Sequence, residues 1–145
     1  MTIRPLEKRD ITQVGAIVRK NYSAKYERLA IPELREMFRT GPLKPRYVVA
    51  EEKGKIFGVA GYIQSWMNYN VFQIFWVNVT PERQRQGIGK KLISRAIQQV
   101  KKNRQARLIL LTTLFPRYYQ KHWGFQKIAI FSKKKDNLLT LSLEK

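Results

Sequence analysis

The stretch Trp76–Leu92 constrains this chain more than any other part of it. An apolar run, Val71–Val79, passes through Pro81 and two glycines one residue apart, Gly87 and Gly89, into an amphipathic helix. Ile88, Leu92, Ile93, Ala96, Ile97 and Val100 form one apolar stripe, while Lys90, Lys91, Arg95, Gln98 and Lys101 face the other way. The first-turn amides of such a helix lack internal acceptors, and the helix dipole adds positive charge to them. With no side chains at Gly87 and Gly89, an anion can approach the main chain, ideally a phosphate. Arg83, Arg85, Lys90 and Lys91 add charge in the same region.

Two familiar phosphate loops do not fit. A Walker A loop needs four residues between its glycines and a Ser or Thr after the Lys, but Lys91 follows Lys90. A dinucleotide fingerprint needs a third Gly where Leu92 stands. Gly-x-Gly by itself reads more readily as a tight packing contact at a helix start, so its flanks must decide.

The rest of the chain supplies alternating elements. Thr2–Leu6 reads as a strand, and Asp10 as the N-cap of a helix running to about Lys20. Pro32 at a first turn predicts a second helix, Glu33–Arg39, stopped by Gly41. Tyr47–Glu51 and Ile56–Gln64 predict a hairpin turning at Lys53-Gly54-Lys55. Val71–Val79, apolar on both alternating faces apart from Gln73 and Asn78, predicts a central strand covered on both sides. Arg107–Thr113 is a further strand, Tyr118–Trp123 a short helix stopped by Gly124, and Phe125–Phe131 and Leu138–Leu143 a last strand pair. The fold class expected is α/β, with helices on both faces of a mixed sheet, in one domain over residues 1–145.

Composition narrows the chemistry. The chain has no Cys and one His, His122, so thiolate and disulfide chemistry is excluded and no metal site is expected. Nothing resembles a signal peptide or a membrane span, so a soluble cytoplasmic protein is expected. Lys and Arg number 29 against 10 Asp and Glu, a net charge of +19. Such a surface attracts anions, but the cations are spread along the chain rather than gathered in an arm. No Arg/Gly-rich tail, zinc spacing or RNA-binding aromatic motif is present, which argues against a nucleic-acid partner.

Gln84-x-x-Gly87-x-Gly89, preceded by Val77-x-Val79-x-Pro81, resembles the coenzyme-A motif of the GNAT superfamily of N-acetyltransferases. Three other segments resemble parts of the same family in the same order. They are Ile3-Arg4-Pro5-Leu6 with Asp10, the hairpin Tyr47–Gly58, and Tyr118-Tyr119-Gln120-Lys121-His122-Trp123-Gly124-Phe125. The resemblance implies a mostly antiparallel sheet whose central strands splay into a cleft.

It further implies a pantetheine arm against the main chain of Val77, Asn78 and Val79. The pyrophosphate would lie on the amides of Arg85, Gln86, Gly87, Ile88, Gly89 and Lys90, with Gln84 opening the loop. The donor implied is acetyl-CoA, attacked directly by an amine in a ternary complex. The proton donor to the departing sulfur is a Tyr before Gly-Phe. The usual position is Gln120 here, so an extra residue is inferred, which selects Tyr119 with Tyr118 as second candidate. No general base stands on Asn70–Val79; a water relay or Glu27, Glu33 or Glu36 would serve. His122 reads as a surface residue turned away from Tyr119.

A non-catalytic coenzyme-binding module and a nucleic-acid-associated protein are the competing readings. The acceptor is not identified. Lys133-Lys134-Lys135 points to an anionic one, either a phosphorylated metabolite or an amine in an acidic peptide. Monomer and homodimer both fit.

Overall fold

In the computed structural model, which describes residues 1–144, seven strands form one mixed sheet in the order β1-β2-β3-β4-β5-β7-β6. They are β1 Thr2–Pro5, β2 Arg46–Glu52, β3 Lys55–Gln64, β4 Val71–Val79, β5 Leu108–Thr113, β6 Gln126–Ile130 and β7 Asn137–Ser142. The helices are α1 Ile11–Asn21, α2 Ala24–Arg35, α3 Ile88–Lys101 and α4 Pro116–Trp123. Neighbouring strands are antiparallel except β4 and β5. Among the described residues, no helix is long and apolar enough to cross a membrane.

Helices cover both faces, and each face has its own core. Under α3, the six stripe residues pack on Val48, Phe72, Ile74, Ile109, Leu111 and Leu139, which come from both halves of the sheet. Under α1 and α2, Val14, Ile17 and Leu34 pack on Tyr47, Val49 and Val59, all from the β1–β4 half. Gly58 allows α3 to lie close: a Cβ there would stand 2.8 Å from Leu92 Cδ1 and 2.9 Å from the Asn78 carbonyl.

Two helix starts differ from the sequence expectation. Asp10 does not cap α1 by its side chain; it already has helical φ and ψ of −82° and −18°. Its carboxylate instead accepts the Glu7 amide at 2.8 Å and two hydrogen bonds from Arg4 at 2.7 and 3.0 Å. Arg4 also pairs with Glu51, so one guanidinium ties β1 to both β2 and the start of α1. The second helix begins a full segment earlier than predicted. Ser23 caps it, its hydroxyl accepting the Tyr26 amide at 3.4 Å, and Pro32 lies inside α2. The carbonyl that Pro32 leaves unpaired belongs to Arg28 on the exposed face, and the helix tightens into a 3₁₀ turn at Glu36–Phe38 soon after.

The Arg4–Asp10 pair sets a stability prediction. Burial alone would raise Asp10, but the Arg4 and Glu7 hydrogen bonds hold its carboxyl below the usual range. A depressed carboxylate stabilises the fold at pH above its unfolded value, and the contribution is lost as pH falls through the folded value. Asp10→Asn leaves Arg4 part-buried with one carboxylate partner fewer and should destabilise by about 2–3 kcal/mol at neutral pH. Urea unfolding of parent and variant should converge as the pH is lowered below the ordinary Asp range.

Candidate functional site

The central event in the sheet is a separation. β4 pairs with β5 only at Val71–Gln73 with Leu108–Leu110, and beyond Gln73 the open edge of β4 has no strand partner. On its other edge β4 carries a bulge: Val59 faces Asn78 and Gly61 faces Phe75, so Ala60 opposes both Trp76 and Val77. Trp76 takes a left-handed φ of +50° there, and its indole donates to a Glu33 oxygen at 3.2 Å. The bulge bends β4 away from β5, and the two strands bound a wedge-shaped cleft.

A polar lock holds the end of β4. The Asn21 amide, from the last residue of α1, donates to the Val79 carbonyl at 2.9 Å and to Asn78 Oδ1 at 3.0 Å. Gln84 Nε2 donates to the same carbonyl at 3.0 Å and to Asn21 Oδ1 at 3.1 Å. The Gln84 side chain therefore braces the loop against β4 and α1. Asn78 is 4% exposed, and its Nδ2 is enclosed without an acceptor.

From this lock the chain turns into α3. Arg85 and Gly87 take left-handed φ of 62° and 84°, which re-aims successive amides before Ile88 starts the helix. No side chain caps α3, and no acid lies in its first turn. Lys90 and Lys91 stand there instead, exposed and against the helix dipole. Gly89 keeps a gap: a Cβ would sit 3.6 Å from Val79 Cγ2 and 3.9 Å from the Tyr118 hydroxyl. Arg83 departs from the expected cluster. It lies 4.3 Å over the Phe57 ring, pairs with Glu52 at 3.3 Å and holds Gln86 at 3.0 Å.

The two tyrosines of α4 divide. Tyr118 is 37% exposed and its hydroxyl faces the Gly89 gap; partial burial raises its pKa. Tyr119 is buried against Trp123 and Phe125, with ring centroids at 5.6 and 5.7 Å. Burial first, then the Tyr118 and Tyr22 hydroxyls, hold Tyr119 well above the usual phenol value. His122 meets the Tyr118 ring edge-on, with centroids at 4.8 Å; burial first, then Lys90 and Lys121, lower its pKa.

The model of the acetyltransferase (GNAT) family matches residues 11–125. The chain belongs to the GNAT family of acetyltransferases. Its fold agrees with that assignment throughout. A protein from Desulfovibrio desulfuricans assigned to the GNAT acetyltransferases superposes with a TM-score of 0.82 at 20% identity, covering 99% of this chain and 98% of that one. Aminoglycoside 6′-N-acetyltransferase, solved with coenzyme A, gives a TM-score of 0.81 at 17% identity, with coverages of 98% and 97%. N-acetylglutamate synthase from Neisseria gonorrhoeae, solved with coenzyme A and N-acetyl-glutamate, gives 0.73 at 17% identity and covers 99% of this chain but 35% of that chain. None of the curated proteins matches the chain in sequence.

The GNAT family uses acetyl-CoA. In this member, Val77, Asn78 and Val79 lie on the splayed part of β4, and Arg85 to Lys90 form the turn into α3. Tyr119 and Tyr118 close the other wall from α4. Sequence reasoning missed Asn21, Trp76 and Tyr22 as parts of this site. Asn21 sits at a helix end where periodicity carries no signal, and Trp76 looked like one more apolar strand residue. A bulge leaves no mark in an apolar run, because the extra residue is apolar too.

Proposed function

We propose that this chain transfers the acetyl group of acetyl-CoA to a primary amine by direct attack within a ternary complex. The observation that carries this reading is the uncapped start of α3, separated by the Gly89 gap from the Tyr118 hydroxyl and continuous with the unpaired edge of β4. That edge suits an extended amide-bearing arm, which would lie on it like an added strand. The amides of Arg85 to Lys90 suit a diphosphate, and it would relieve the repulsion of Lys90 and Lys91 from the helix dipole. The residues present therefore fit the donor. Its thioester supplies the activated acetyl group.

The remaining tasks fall to side chains on the two walls. A main-chain N–H of Val77–Val79 steadies the carbonyl oxygen as charge develops on it. Tyr119, kept protonated by burial, hands its proton to the departing sulfur. Tyr118 hydrogen-bonds the coenzyme at the Gly89 gap. Glu33 is exposed, is held at the bulge by the Trp76 indole and has no cationic partner among the described residues. It receives the proton that the acceptor ammonium must lose.

The acceptor class is read from the mouth of the cleft. The turn Phe131–Asp136 hangs at the end of β5, where Asn137 Nδ2 reaches the Thr113 carbonyl at 3.4 Å. Its Lys133, Lys134 and Lys135 are exposed, with Asp136 bound to Ser132. That surface favours an acceptor with net negative charge. An amine screen with thiol release as readout should find turnover, with intersecting initial-rate lines. Acidic acceptors should have lower KM than basic ones of like size, and Lys133/Lys134/Lys135→Ala should reduce that preference severalfold. Coenzyme binding without thiol release for any amine would leave a non-catalytic module. An unchanged preference in the triple variant would remove the turn from substrate selection.

A further inference from the structure

The turn between β3 and β4, residues 65–70, carries three large side chains into solvent: Trp66 is 80% exposed, Met67 70% and Tyr69 60%. It lies at the opposite end of β4 from the Gly87 loop. The turn is well anchored. Ser65 Oγ accepts the Met67 amide at 3.0 Å, Gln64 Nε2 donates to the Tyr69 carbonyl at 2.9 Å, and Asn70 Nδ2 donates to the Gln105 carbonyl at 2.6 Å. The amides of Arg107 and Leu108 return to the Asn70 carbonyl at 2.8 and 3.1 Å. The two aromatic rings are thus presented by a braced loop rather than by a loose one.

The same bonds fix the turn beside the end of α3 and the segment after it. There Lys101, Lys102 and Arg104 are exposed and have no ion-pair partner among the described residues. Gln64, one of the anchors, also lines a cavity of about 470 Å³ together with Lys44, Arg46 and Arg95. No carboxylate lines that cavity, and none of its three cations is ion-paired among the described residues. Glu144, beyond the Leu143 amide that bonds the Arg107 carbonyl, brings one negative charge to this end.

We propose that this pole binds single-stranded nucleic acid, with phosphates on the cations and in the cavity and unpaired bases stacked on Trp66 and Tyr69. Cations alone would accept any polyanion. Solvated aromatic faces among cations select a chain whose bases are free to stack, which a duplex does not offer. Asn68 and Asn70 interrupt the apolar side chains, so the turn makes a poor wedge for a lipid surface, and a concave cationic cavity suits discrete phosphates. A second copy of the chain, itself carrying a net +19, would set like charges against these cations. The sequence argued against nucleic acid because no motif was contiguous. The fold assembles the surface from separate segments of the sequence, as residues 44–46, 64–70 and 95–104 meet at one end.

The test is fluorescence anisotropy with a labelled RNA single strand of roughly 12 nucleotides and a duplex of equal length, over about 50 to 200 mM salt. The single strand should bind more tightly than the duplex. Trp66→Ala/Tyr69→Ala should weaken single-strand binding at least tenfold, from the loss of about two stacked bases, and leave duplex binding and the salt slope unchanged. Trp66→Tyr should restore most of its share. Lys101/Lys102/Arg104→Ala should lower the salt slope by about 2 without changing the single-strand preference. All five substituted side chains, Trp66, Tyr69, Lys101, Lys102 and Arg104, lie in solvent, and unchanged melting temperatures will confirm that the variants fold. Equal binding of strand and duplex, or full binding by the Ala double variant, overturns the proposal in favour of unselective charge. Binding to anionic vesicles that depends on Trp66, with no single-strand preference, or self-association lost in the double variant, overturns it in favour of a lipid surface or a second copy.

Discussion

Gly87→Glu abolishes the thermal stabilisation that acetyl-CoA gives the parent chain. A ligand that binds only the folded state stabilises by about 2.7 kcal/mol at a hundred times its Kd. For a chain of this size that is a rise in melting temperature of roughly 8 °C. The substitution sets a carboxylate where a diphosphate would meet the amides of Gly87 and Ile88, so like charges repel at contact range. It also forces a side chain into a φ of 84°, which by itself lowers stability by about 1–2 kcal/mol. The readout is therefore the shift on adding ligand, not the starting melting temperature. Gly87→Ala shares the strain without the charge and should keep part of the shift. Gly89→Ala separates the roles further. Its backbone lies outside the left-handed region and a Cβ meets nothing closer than 3.6 Å, so the fold should be unaffected while the gap toward Tyr118 narrows. A full acetyl-CoA shift in Gly87→Glu, measured by scanning calorimetry, would move the diphosphate elsewhere on the protein.

Tyr119→Phe should lower turnover about 10²-fold with the most active amine of the screen, while the acetyl-CoA dissociation constant stays within about twofold. The ring and its contacts with Trp123 and Phe125 are kept; one hydroxyl is lost. That hydroxyl is held protonated by its surroundings, so it carries a proton to give and is useless as a base at neutral pH. Tyr118→Phe should show the opposite split: weaker coenzyme binding with turnover at saturation little changed. A reversed pattern, with the large kcat loss in Tyr118→Phe, assigns the proton to Tyr118.

The sheet, α3 and the loop before it were legible because one periodicity or one turn residue governs each. The six stripe residues of α3 are all buried. Lys53 and Gly54, with φ of 51° and 80°, make the tight turn that their sequence announces. Reading failed where one residue served two signals. Pro32 looked like a helix start, but Ser23 had already started the helix, and a single missing amide did not end it. Asp10 looked like a cap, but a part-buried Arg4 claimed its carboxylate. The inner lock of the site escaped for another reason. Asn21, Asn78 and Gln84 meet because α1, β4 and the loop converge in space, and no spacing along the chain records it. The order Tyr118-Tyr119 likewise could not say which hydroxyl looks at Gly89 and which ring is buried against Trp123 and Phe125.

The two cores have a consequence for traffic through the cleft. On the α3 face, one apolar mass grips both halves of the sheet, so the wedge between β4 and β5 is clamped shut along that side. On the α1–α2 face, the apolar layer stops at β4 and leaves the far half unroofed. The wedge is a passage with one walled side and one open side. A long guest threaded from the Gly87 loop and a small guest arriving from the α1–α2 side come through different doors. In the ternary complex proposed above, neither would have to leave before the other enters, and a change in the second doorway, built from α1, α2 and the β6–β7 turn, would alter what is admitted there without disturbing the first.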